Sequence, residues 1–279
     1  MSFDTLRSWI DESSHVLVAA GAGMSAAAGL DYGDQKRFAE LFPAFVCKGF
    51  TARYQAIGYQ GWTPQEHWAY WAIHVADICK GVRNDAPYRQ LLEVVGDKDV
   101  FVYTSNVDRL FPRNGFDPQN LFTPQGDYGQ MQCCRACKPV TWDTAPIIQK
   151  LLDAMDPVEQ VITDLNALPR CPNCGGEVFL NVRVDGNFVE TPYAAQSERF
   201  QGWLDEALDE RFLVIEIGAG YNTPSVIRYP CEGLVARHPT GRLLRINQEY
   251  PDVPRELGGR AMGVKDDAAT FLADFLASF

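Results

Sequence analysis

An α/β fold is predicted: a Rossmann-like parallel sheet with helices on both faces, a helical insertion and a small zinc-ribbon-type module. Three observations predict it. Short β-rich runs alternate with helical stretches, as in parallel sheets covered on both faces. Four of the runs end in a glycine or polar cluster, at the end of the strand where open α/β sheets bind ligands. Two stretches break the alternation, one rich in aromatic residues and one carrying two Cys-x-x-Cys pairs. The division that follows is a discontinuous Rossmann-like domain over residues 1–30, 85–129 and 201–279, a helical, aromatic insertion over 31–84 and a zinc-binding module over 130–200.

Taken in order, MSFDTLRSWIDESSHVLVAA reads as an amphipathic helix entering a first strand, His15–Ala20. It has neither a basic n-region nor a small-residue cleavage site, so a cytoplasmic location is expected. Further strands are predicted at Val100–Thr104, Leu213–Ile217 and Arg242–Ile246, with Ala261–Val264 as a short last one. Between the first two lies the aromatic stretch with Tyr54, Tyr59, Trp62, Trp68, Tyr70 and Trp71, predicted to form helices packed over the crevice at the strand ends. No repeat or low-complexity tract is present.

Composition narrows the function. A chain of 279 residues, 46% hydrophobic and 12% aromatic, matches an ordinary globular enzyme. No run approaches the roughly 20 apolar residues that a membrane helix needs, so no membrane partner is expected. A net charge of −11 argues against nucleic acid as a partner, while backbone N–H groups can still hold a small anionic cofactor. In an intracellular chain eight cysteines are better explained as metal ligands or buried thiols than as disulfides.

The first motif, Gly21-Ala22-Gly23-Met24-Ser25, sits between a strand and a small-residue helix start, where glycines let backbone approach a diphosphate. A tightly packed strand-to-helix turn would look the same without any ligand. Support comes from Thr104-Ser105-Asn106-Val107-Asp108, Gly218-Ala219-Gly220-Tyr221-Asn222-Thr223 and Ile246-Asn247-Gln248-Glu249 at the other strand ends, with Asp266 beyond the last strand. Each could be a plain turn, since these are the residues turns use.

In that order the clusters resemble the pattern of the sirtuins: GAGxSxxxGI, TQNID, HG, two CxxC pairs, GTS and N.E, from Gly21 to Glu249. The resemblance implies an NAD site. Gly21, Ala22, Gly23 and Ser25 would bind the diphosphate, and Gly218 and Gly220 would approach the phosphates, with Ala219 and Asn222 as further cofactor-binding residues. Asn106 and Asp108 would hold the ribose and nicotinamide amide, and Asn247 with Glu249 would meet the adenosine ribose; Ser105, Val107, Gln125, Gln248 and Asp266 would be further cofactor-binding residues. Two departures matter. Gln125 stands where deacylases have histidine, and an amide gains or loses no proton near neutral pH, so efficient deacylation is not expected. The usual GIPDFR becomes Gly29-Leu30-Asp31-Tyr32-Gly33-Asp34, so the loop that would cover NAD, with Asp31 and Tyr32, is rebuilt.

Both departures are most similar to the macrodomain-linked (class M) sirtuins, through GAGMSAAAGLDY, TSNVDRLF, PQGDYG and GAGYNTP. That resemblance implies an ADP-ribosyltransferase acting on a protein, with a lipoylated carrier of the glycine-cleavage H type as acceptor and a functional link to a macrodomain hydrolase. Asn106, Asp108 and Gln125 would be its catalytic residues. The alternatives are an NAD hydrolase, a weak deacylase and a non-catalytic NAD or ADP-ribose sensor.

Cys134, Cys137, Cys171 and Cys174 are the predicted ligands of a structural zinc, with Cys133 as the alternative to Cys134. Thirty-three residues separate the pairs, against about 15–20 in compact ribbons, and a helical insertion over about 145–168 would account for the excess. His15 and His238 read as structural or exposed, and His67 with His74 as helix packing. Cys47, Cys79 and Cys231 read as small buried side chains.

Overall fold

The computed structural model describes residues 3 to 278. The chain divides into two compact units, one made of Met1–Gly29, Arg83–Gly126 and Tyr193–Phe279 and the other of Leu30–Val82 and Asp127–Pro192.

The first unit is built on six parallel strands in the order Ala261–Val264, Arg242–Ile246, Phe212–Ile217, His15–Ala20, Asp99–Thr104 and Leu121–Phe122. His15–Ala20 and Phe212–Ile217 are almost wholly buried, as their near-continuous apolar runs require in a sheet covered on both faces. All five predicted strands are present. Leu121–Phe122 escaped prediction because two residues leave no periodicity to read. The helices Phe3–Glu12, Ala22–Ala27, Ala86–Val95, Leu110–Arg113, Ala194–Leu208, Arg228–Arg237 and Ala268–Ala277 belong to this unit, and Phe101, Phe212, Val214, Val235 and Leu243 are among its core residues.

The chain leaves His15–Ala20 toward one flank of the sheet and later returns from Phe212–Ile217 toward the other, so the strand order reverses between these two neighbours. In open α/β sheets that reversal opens a crevice at the strands' carboxyl ends. The turns there are stitched by backbone hydrogen bonds: Gly21 N–H to Ile217 O at 2.9 Å, Gly23 N–H to Gly218 O at 3.0 Å and Gly218 N–H to Ile246 O at 2.9 Å.

The second unit contains the helices Gln35–Leu41, Pro43–Cys47, Arg53–Gly58 and Pro64–Lys80, and a three-stranded sheet ordered Trp142–Asp143, Gly126–Cys133, Val178–Val182. Pro64–Lys80 starts with a reciprocal capping box between Thr63 and Glu66. Its buried side holds Asp77, which accepts hydrogen bonds from both Arg37 and Arg53. Arg53 also donates to His74 Nδ1 at 3.1 Å, and His74 stacks on Tyr70. Trp62, Trp68 and Trp71, with Tyr128 and Phe179, wall a cavity of about 580 Å³ inside this unit. Between the cysteine pairs the expected helical insertion is one helix, Ala145–Asp153, followed by the two-stranded pair Met155–Asp156 and Val161–Ile162. No helix among the described residues is long and apolar enough to cross a membrane.

Candidate functional site

The glycine-rich turn and the turn after Asp99–Thr104 are bonded directly to each other. The Asn106 side-chain amide donates to Gly21 O at 2.9 Å, and the Ser25 hydroxyl donates to the Asp108 carboxylate. Thr104 organises this corner, its hydroxyl donating to Ala20 O at 2.9 Å and accepting from the Asn106 N–H at 3.0 Å. The other Asp108 oxygen accepts the Leu110 N–H at 2.9 Å. Ser25 and Asp108 are buried, whereas Ser105, Asn106 and Val107 keep partial exposure. The structure therefore makes Asp108 a tie between two loops as well as a candidate ligand group.

Glycine at positions 21, 23 and 218 has a packing cause. A Cβ on Gly23 would lie 2.6 Å from Gly218 Cα, one on Gly21 2.7 Å from Ala219 Cα, and Gly218 has a φ of +64°. A side chain at Gly23 would thus strike the neighbouring loop's backbone before meeting any ligand, and the packed-turn explanation of this motif is correct as far as it goes. What packing does not require is the recess in front. Gly23, Ala26, Gly218, Asn247, Gln248, Glu249, Asp266 and Asp267 line a cavity of about 160 Å³. Ala26, Asp267 and Ala268, which also line it, were not assigned to the site from the sequence, because an alanine or a helix cap carries no signal of facing a recess.

Asn247 and Glu249 play different parts. Asn247 is buried, its Nδ2 donates to Ala219 O at 2.9 Å, and its Oδ1 accepts the N–H groups of Glu249 and Tyr250, each at 3.0 Å. Its polar atoms shape the loop, whereas Glu249 and Gln248 are exposed at the recess. Ala219 is buried, Gly220 half-buried and Asn222 exposed, on the loop after Phe212–Ile217. Gln125 lies half-buried in the turn that joins Leu121–Phe122 to Gly126–Cys133, and Gly126 with a φ of +106° lets the chain leave that turn. Asp31 and Tyr32 belong to the second unit, where Asp31 accepts the Gly33 N–H at 2.7 Å and the Tyr32 hydroxyl lies 3.5 Å from that of Tyr128.

The metal centre needs one correction to the predicted ligand set. Cys133, not Cys134, joins Cys137, Cys171 and Cys174, with all four sulfurs within 4.8 Å of one another. Cys133 and Cys174 are 3.7 Å apart and Cys137 and Cys171 3.6 Å. Zinc–sulfur bonds of about 2.3 Å in a tetrahedron place sulfurs about 3.8 Å apart, so the four thiols fit that ion and leave no open position. Alternate residues of a strand face opposite ways, and Cys133 ends the strand Gly126–Cys133 on the cluster's side. Cys134, one step on, lines the aromatic cavity, where burial pushes its thiol up to about 11.

No family model matches the chain. A probable bifunctional ADP-ribose hydrolase/ADP-ribosyltransferase of Fusarium oxysporum f. sp. cubense is 35% identical over 242 residues, 85% of this chain and 40% of that protein. The chain thus spans less than half of that relative. A protein ADP-ribosyltransferase of Staphylococcus aureus is 27% identical over 276 residues, covering 98% of this chain and 86% of the relative. Among solved structures, a Sir2 homologue in complex with NAD covers 99% of this chain and 93% of its own at a TM-score of 0.60 and 17% identity. Sir2 bound to an acetylated peptide covers 100% and 98% at 0.59 and 15% identity. The fold is that of the Sir2 sirtuins.

Proposed function

We propose that this chain, built on the sirtuin fold, is an NAD-dependent protein ADP-ribosyltransferase that releases nicotinamide and passes ADP-ribose to a protein acceptor. The observation that carries the reading is the corner where Asn106 bonds to Gly21 and Ser25 to Asp108, on the turn whose Gly23 lines the recess with Gly218 and Glu249; the sirtuin resemblance would put the amide of Gln125 where deacylases have their base. The names of the fungal and staphylococcal relatives support it.

In this reading the recess takes the adenosine end, with the Glu249 carboxylate accepting from ribose hydroxyls. Gly23 and Gly218 allow the diphosphate close to the backbone. Asn106, fixed by its bond to Gly21 O, orients the ribose next to the scissile bond. Asp108, held by its bonds to Ser25 and Leu110, would accept from the leaving carboxamide. The nicotinamide–ribose bond breaks through an oxocarbenium-like state, the acceptor attacks from the opposite ring face, and enclosure excludes water. An acceptor carboxylate needs no base, which suits Gln125 as a hydrogen-bonding group that takes no proton. The zinc would be held by Cys133, Cys137, Cys171 and Cys174, where it folds the second unit and takes no part in the chemistry.

The acceptor we infer is a lipoylated carrier of the glycine-cleavage H type, met in the cytoplasm, with a macrodomain hydrolase as functional partner. Similarity to the class M sirtuins supports both, and the fungal relative's name joins hydrolase and transferase in one protein. The test is to incubate the pure protein with labelled NAD and candidate carriers. Label fixed on protein, with nicotinamide released, is the expected result. Label found only as free ADP-ribose would make this a hydrolase, acyl-lysine removal at a comparable rate a deacylase, and binding without turnover a sensor.

A further inference from the structure

We infer that Arg228 is a positioning residue for the nucleotide recess, clamping from behind the two loops that form its front. The inference rests on the NAD reading of that recess. Arg228 is the first residue of the helix Arg228–Arg237 and is 1% exposed. A buried guanidinium is tolerated only with its charge balanced and its donors used. The balance comes from Glu216, which Arg228 shares with Arg245, the in-register neighbour of Glu216 on the adjacent strand. Arg245 grips both Glu216 oxygens at 2.7 Å and reaches Glu232, also at 2.7 Å, while Glu216 lies 3.7 Å from Arg228. Two buried cations thus face two carboxylates, and Arg228 is the member with donors to spare.

Those donors go to the two loops. One terminal nitrogen of Arg228 donates to Ala219 O at 2.9 Å and Tyr250 O at 3.0 Å. The other donates to Asp252 O and the Tyr221 hydroxyl, both at 3.3 Å. The Tyr221 ring also lies over the guanidinium at 4.4 Å. Ala219 and Tyr221 follow the strand Phe212–Ile217, and Tyr250 and Asp252 follow Arg242–Ile246. The front edges of these loops, Gly218 and Asn247–Gln248–Glu249, line the recess. Asn247 supplies a second tie by donating to the same Ala219 carbonyl. No other described side chain is shown bonding to both loops at so many points, and none of these bonds is needed to complete a strand or helix.

A purely structural arginine and a positioning one differ in what lysine can replace. Lysine keeps the charge beside Glu216 but is a point donor without the planar fork. In Arg228→Lys we expect a melting temperature near native and faster amide exchange at residues 219–222 and 249–252 of the ligand-free protein. NAD Kd and KM should rise about tenfold with kcat within about twofold, the size expected when a charged hydrogen-bond set is broken. Exchange unchanged at those amides, or NAD affinity within about twofold of native, overturns the inference. So does an affinity loss in Arg228→Met that Arg228→Lys restores together with stability, since that marks a structural role alone. Should Arg228→Lys not fold, Tyr221→Ala removes the hydroxyl and the ring that meet the Arg228 guanidinium, and unchanged exchange at residues 219–222 and 249–252 in that variant overturns the clamp. Native protein that binds no NAD removes the proposed function instead, and the exchange data then still read the clamp separately.

Discussion

At the scale of single residues, neighbours that look interchangeable in the sequence have different environments. Cys133 and Cys134 are adjacent, yet Cys133 faces three other sulfurs and Cys134 faces the aromatic cavity. Cys133→Ser should therefore lower bound zinc well below one per chain, while Cys134→Ser should retain it, as metal analysis of both variants will read. Equal zinc loss in the two would show that the cluster is drawn from a different set. Two of the proposed catalytic residues, Asn106 and Gln125, separate in the same way. Asn106→Ala removes a group held in place by Gly21 and should cost roughly 10²–10⁴-fold in nicotinamide release. Gln125→Ala should impair turnover without moving the pH profile, because an amide does not titrate; a shifted profile would reveal a base acting through that position. Spacing could not choose between Cys133 and Cys134, since both fit a knuckle, and only strand direction decides.

At the scale of elements, most of the parallel sheet was legible and most of the second unit was not. Strands such as His15–Ala20 and Arg242–Ile246 announce themselves through apolar runs closed by turn residues, and both match their predicted bounds. The pairs Trp142–Asp143 and Met155–Asp156 have two residues each, too few for a period, and exist because their partners are close in space. Arg228 left no signal either: a buried arginine is recognised by its partners, and Glu216 and Arg245 lie on other elements. Helix Pro64–Lys80 shows an element whose start is written locally. Its Glu66 is held down to about 2, first by the Lys48 ammonium at 2.7 Å and then by Thr63. A carboxylate depressed on folding stabilises the native state above its unfolded value near 4.5, and that contribution fades as pH falls toward about 2. Urea midpoints of native protein and Glu66→Gln should accordingly differ at pH 7, draw together as pH falls below about 4.5 and converge only at about pH 2. Thr63→Ala, which removes the cap, should cost about 1 kcal/mol at neutral pH. A gap between native and Glu66→Gln that widens in acid would contradict this account of the cap.

At the scale of the whole molecule, the two units draw stability from different sources. The first has an apolar core, including Leu17, Phe101, Val214 and Leu243, around largely buried central strands. The second is held by the capped helix, by the Arg37–Asp77–Arg53 ion group and by short strands around four cysteines. Zinc binding free energy in such a module is folding free energy, because the ligands come together only when it folds. Removing the metal with a strong chelator should therefore raise amide exchange across the Val178–Val182 strand and the segment around Cys171–Cys174. Exchange in Phe212–Ile217 should stay slow, since nothing in that strand's packing depends on the metal. Thermal unfolding should then split, with the earlier transition moving down as zinc is lost and the later one holding its position. A single transition that shifts as a whole would mean that the two units fold as one cooperative body, and that the cysteine cluster stabilises the recess of Gly218 and Glu249 as directly as it stabilises its own strands.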